Sequence, residues 1–100
     1  MSCVSYVHSK IPTAPLVDAE WYARFPRSIP SVGSVAIFKY DTGVSHVAIV
    51  ESLEEKGMVV SDCNYKPGIC TKRFVEYGHY SIVGFWLPPK EEPITGFAAL

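Results

Sequence analysis

Four polar residues in this 100-residue chain need a chemical reason for their places. Cys3 heads the segment CVSYVHSK, His46 opens the apolar run SHVAIV, and Asp62 and Asn64 stand two apart in VVSDCNY. Together they describe one chemistry. A thiol with an ordinary pKa of about 8.5 is mostly protonated at neutral pH; an imidazole that takes its proton, with a helix N-terminus behind it, makes a nucleophilic thiolate. The imidazole must in turn be held in one tautomer by a third group, which an Asp or an Asn supplies. Cys3, His46 and either Asp62 or Asn64 fill each role once, for acyl transfer through a thioester.

Those residues lie far apart in the chain, so the elements between them must bring them together. From Cys3 to Lys10 the apolar Val4, Tyr6 and Val7 suggest a short helix, and the prolines of IPTAP end it. VDAEWYARF suggests a second, with Asp18 as N-cap and Trp21, Tyr22 and Phe25 on a shared face. PRSIPSVGS is turn-rich. Beyond it, 35–38, 45–53, 57–65, 71–77 and 81–88 are rich in β-branched and aromatic residues and are separated by short turn signals. Short connections make neighbouring strands antiparallel, and two helices followed by five strands give an α+β order. Side chains alternate along a strand, so Asp62 and Asn64 share a face and Cys63 takes the other. If 45–53 and 57–65 form a hairpin, His46 joins that face only where paired residue numbers add up to an even value.

Composition bounds the function from outside. Apolar residues are 48% of the chain, enough for a core in a single domain. Residues 1–88 are expected to form it, and 89–100 a proline-containing tail. A net charge of −1 with scattered charges argues against nucleic acid as a partner. No apolar run is long enough for a membrane span, and no signal peptide opens the chain. Of the three cysteines at least one is unpaired within the chain; Cys63 and Cys70 could bridge a short loop in an oxidising compartment, which would leave Cys3 as the free thiol. Their six-residue gap does not match the usual zinc-ligand spacing, and no metal or cofactor site is assigned. Trp21, Trp86, Tyr65 and Phe85 read as core or cleft wall, His79 as a solvated turn residue, and His8 has no evident partner.

At this point the ordered blocks CVSYV, PSVGSVAIF, SHVAIVES, VSDCNY and IVGFWLP resemble those of the CHAP domain, the cysteine, histidine-dependent amidohydrolases/peptidases. The resemblance spans residues 3 to 88. It implies a papain-like α+β fold, with short N-terminal helices packed on an antiparallel sheet of about five strands. It also implies a hydrolase cleaving amide bonds of the bacterial peptidoglycan stem peptide or cross-bridge, as endopeptidase or amidase, in a phage lysin or a secreted wall enzyme. Cys3 matches the nucleophile and His46 the general base. Asp62 stands where the family usually has Glu, and Asn64 matches its asparagine. The pattern departs at Ser34, where the family has Asp, at Ser45 before the histidine, and at Ser2, where many members carry Gln. Most members also have a segment upstream of the cysteine, so a compact domain or part of a longer polypeptide is expected. The rival readings are an inactive wall-binding or inhibitory descendant and an NlpC-type wall peptidase.

Overall fold

Ser2 sets the start of the first helix. In the computed structural model, which describes residues 2–22, 24 and 29–89, its side chain accepts the Ser5 N–H at 3.1 Å, satisfying a donor that a helix start leaves open. Helix α1 (Cys3–Lys10) turns Val4 and Val7 inward. Past its end, Nδ1 of His8 donates to the Ala14 carbonyl at 2.6 Å, folding the IPTAP segment back against the helix. Helix α2 (Ala19–Tyr22) is a single turn, shorter than the sequence suggests, and Phe25 lies outside the described residues. Its Tyr22 is fully buried, edge-on to Trp21 and to Trp86, with its hydroxyl donating to the Pro15 carbonyl.

The five expected strands form: β1 (Val35–Lys39), β2 (Ser45–Leu53), β3 (Gly57–Cys63), β4 (Cys70–Glu76) and β5 (Ile82–Trp86). They make one antiparallel sheet in the order β4-β3-β2-β1-β5, so the two α-helices and the sheet give the α+β architecture. β3 stops two residues early because Asn64 takes a left-handed φ of 68° and begins the turn to β4. A disulfide joins Cys63 to Cys70, directly paired at the turn end of the β3–β4 hairpin, which consumes both thiols and leaves Cys3 free. Among the described residues no helix is long and apolar enough to cross a membrane.

Each face of the sheet has its own core. Val35, Ile37, Val47 and Ile49 pack with Val4, Val7, Tyr22 and Trp86 under the helices. Ala36, Phe38, Ala48, Val50, Met58, Val60, Val75 and Phe85 form the second cluster, to which no described helix residue belongs. β1 is buried on both faces as a result, which explains its unbroken apolar run. Glu20 fastens α2 to the sheet, accepting from Lys39 at 3.1 Å and from Ser45 Oγ at 2.5 Å.

The β2–β3 register decides which face His46 occupies. Next to the turn the pairs are Leu53↔Met58 and Ser52↔Val59, whose numbers add up to an odd value. Continued unchanged, that register would put His46 and Asp62 on opposite faces. A bulge at Glu51 takes in one extra residue, and from Val50↔Val60 and Ile49↔Ser61 onward the pairing is even. Ser61 Oγ donates to the Glu51 carboxylate at 2.5 Å and ties the bulge to β3.

Candidate active site

His46 enters the site through the tight turn that joins β1 to β2. Tyr40 N–H bonds to the Val44 carbonyl across that turn, and Gly43 supplies its positive φ of 85°. One residue into β2, His46 pairs with Phe38 and is 5% exposed. Its Nε2 lies 2.8 Å from Asp62 Oδ2. The even register makes these two diagonal neighbours on the face of the second cluster.

Asp62 is fully buried, and its carboxylate is held from several sides. Thr71 Oγ1 donates to Oδ1 at 2.9 Å, while Arg73 donates to Oδ2 from Nε at 3.1 Å and from Nη2 at 3.0 Å, beside the His46 bond. Burial pushes the Asp62 pKa up, but the His46 and Thr71 bonds and the Arg73 charge outweigh it and hold the carboxyl below its ordinary range. Arg73 is itself held flat, with its guanidinium carbon 3.8 Å from the Tyr65 ring centroid and 5.3 Å from that of Phe38.

Cys3 meets the other side of the imidazole. Its thiol lies close enough for the His46 ring to act on it, and with Nε2 committed to Asp62 the nitrogen available to it is Nδ1. Backbone N–H groups of Val47 and Val4 also act on the sulfur. The Val47 donor is free for this because of sheet geometry. Residues 44 and 50 bond back to the β1 side, so odd-numbered residues of β2 point toward β3. Pairing with β3 starts only at Ile49, and Val47 N–H is left for the thiol. Burial pushes the Cys3 pKa up, yet the bonds from His46, Val47 and Val4 and the His46 charge leave it lowered. Burial pushes His46 down, while the Asp62 and Cys3 bonds and charges leave it raised. Opposite shifts of a touching acid and base favour the thiolate–imidazolium form. Tyr22 beside them is pushed up to about 12 by burial and by the Cys3 charge, so it stays a neutral wall.

The structure therefore brings Cys3, His46 and Asp62 together and sets Asn64 apart. The side chain of Asn64 is exposed and accepts the Gly68 N–H at 3.2 Å, so it builds the loop while Asp62 holds the histidine. Ser2 spends its hydroxyl on Ser5. The Cys3 N–H, first in α1, has no intrahelical acceptor and faces the same end as the thiol.

Sequence reading missed Thr71 and Arg73. A signal exists in TKRFV, since the alternation that buries Val75 also turns Arg73 inward and leaves Phe74 49% exposed. A charge turned in and an aromatic turned out on one strand mark a buried counter-charge. His79 is also not the solvated turn residue expected. It is half-buried, with Nδ1 accepting the Ser81 N–H at 3.1 Å and its ring stacked on Tyr80 and edge-on to Phe38. Beside His46 opens a cavity of about 580 Å³, walled by Tyr40, Tyr65, His79 and Tyr80 and edged by Asn64 and Lys66.

No protein-family model matches this chain, and neither a curated protein nor a solved structure is detectably similar to it.

Proposed function

We propose that this chain is a cysteine-dependent hydrolase of papain-like fold that cleaves amide bonds through a thioester. The observation that carries the reading is the imidazole of His46 held between a buried carboxylate on Nε2 and the thiol of Cys3 on the other side. In this mechanism the Cys3 thiolate attacks the amide carbonyl, and the N–H of Cys3 at the helix start donates to the developing oxyanion. The tetrahedral species collapses as the protonated His46 gives its proton to the leaving amine, which breaks the C–N bond and leaves an acyl-thioester. Water then attacks with His46 as base, releasing the acid and restoring the thiol. Asp62 keeps the imidazole in one orientation throughout and balances its charge.

Peptidoglycan as substrate, cut as an endopeptidase or an amidase, is supported by the resemblance of the ordered sequence blocks to CHAP domains. Two measurements test the two levels separately. Iodoacetamide labelling across pH, with mass-spectrometric assignment, should show Cys3 reacting fast below pH 7 in the native protein and slowly in His46→Ala. Purified peptidoglycan should then release new amino termini or free stem peptides with the native protein and none with Cys3→Ala. Labelling that begins only near the ordinary thiol pKa and ignores His46 would overturn the nucleophile. An activated thiol without wall cleavage would overturn the substrate and leave the chemistry.

A further inference from the structure

The cavity beside His46 has a one-sided chemistry. Asn64 has its oxygen occupied by the Gly68 N–H, which leaves its amide N–H₂ to donate. Nδ1 of His79 accepts from Ser81, so the neutral ring carries its proton on Nε2. Lys66 makes no salt bridge among the described residues and brings a full positive charge. The Tyr40 hydroxyl is sealed from solvent with no hydrogen bond of normal geometry, although Arg73 is close enough to act on it. No carboxylate lines the cavity among the described residues; Asp62 lies beneath His46 with its oxygens already taken. Tyr65 and Tyr80 add flat, partly exposed rings. One cation, an amide N–H₂ and the hydroxyl of Thr42, with aromatic walls and no carboxylate, suit an anionic peptide group.

Position gives the cavity its place in the reaction. His46 lines it and Cys3 does not. When a thiolate attacks a carbonyl, the acyl half stays on sulfur and the amine departs past the acid that protonates it. A cavity on the histidine side therefore receives the departing half. We infer that the Tyr65–Lys66–His79–Tyr80 cavity is a leaving-group subsite selecting a carboxylate-bearing residue immediately after the scissile amide, with Lys66 and the Asn64 amide as its contacts. This assignment rests on the hydrolase reading for its role in catalysis, and on the cavity's chemistry for its ligand.

Binding and catalysis test it separately. The probes are glutamyl-alaninamide and glutaminyl-alaninamide, in both configurations at the first residue, which differ only in carboxylate against carboxamide. Titrated by NMR into the Cys3→Ala protein, the glutamyl probe should bind about tenfold more tightly, the scale of one charge-assisted hydrogen bond. Lys66→Met in that background should bring the ratio to about one, and Lys66→Glu should invert it. In the Cys3 protein, an N-acetylalanyl thioester loads the enzyme, and the same two amines compete with water for the acyl group. Transfer to the glutamyl amine should exceed transfer to the glutaminyl amine by a similar factor, and that preference should vanish in Lys66→Met. Equal or absent binding, or a preference that ignores Lys66, overturns the subsite even if acyl-enzyme forms. A Lys66-dependent binding preference in a protein that never acylates keeps the subsite and overturns the hydrolase reading.

Discussion

Removing either half of the Asp62–Arg73 pair should damage the protein more than removing both. Asp62 has no exposed surface and Arg73 is one-fifth exposed, with Nη2 3.0 Å from Oδ2. At that separation and an effective dielectric of about 20, the gross attraction is about 5–6 kcal/mol. Burying the two ions costs a comparable amount, so the pair as a whole stabilises little. Breaking it from one side is different, because the remaining ion stays buried and unmatched, at about 3–5 kcal/mol in such cases. The exposure of Arg73 puts this pair near the lower figure. Asp62→Asn and Arg73→Met should therefore each cost about 3 kcal/mol, which lowers the melting temperature of a domain this size by more than about 10 °C. In the double variant the introduced amide would accept from His46 and donate to Thr71, and the introduced thioether chain would keep much of the packing against Tyr65. Its cost should be no more than about 1 kcal/mol. Urea midpoints at constant slope measure all three. Single costs that add to within about 0.5 kcal/mol in the double would refute the reasoning. Reactivity should not recover with stability. The double variant lacks the carboxylate that helps hold His46 protonated, so Cys3 should still alkylate more slowly than the parent at acidic pH.

The shifted groups also set the pH limits of stability. Asp62 is depressed in the folded protein, so its contribution is present above the unfolded carboxylate pKa and is lost as pH falls through the folded one. His46 is raised, so its contribution is complete below the unfolded imidazole pKa and is lost as pH rises through the folded one. Urea midpoints against pH should show His46→Gln flattening the neutral limb and the Asp62/Arg73 double variant flattening the acid limb; unchanged limbs would contradict the assignment. Deleting Glu51 should remove the bulge yet keep Ser52↔Val59 and Val50↔Val60 as consecutive pairs, so Cys3 should still label at acidic pH, whereas one alanine inserted after Ala48 should turn His46 to the other face, away from Asp62, and abolish that labelling. A folded insertion variant that labels like its parent would count against the register argument. Gly57→Ala should cost more than about 2 kcal/mol in urea melts, because a Cβ there would collide with the Val75 carbonyl oxygen.

Local patterns carried much of this protein. The β-branched runs marked all five strands, because a strand's preference is written in consecutive residues, and β2 matches its expected limits at Ser45–Leu53. The prolines after Lys10 ended α1, and the spacing of Cys63 and Cys70 allowed the bridge that the structure forms, which leaves Cys3 free. The same local reading placed Asp62 and Asn64 on one face but left open which of them holds His46. A left-handed φ at Asn64 and its bond to Gly68 N–H decided that, because a residue used to turn the chain is not free to address the strand. The bulge at Glu51 has no local signature in a run of ordinary strand residues; it exists because both faces of β2 must match their separate cores at once. Arg73 became part of the site through a pairing with β3 that is set across a turn. Residue types and order determined which groups were present for thiol chemistry. Register, where β3 stops and how far Val47 stands from its ladder were decided by tertiary packing, since each depends on contacts between segments that no single segment encodes.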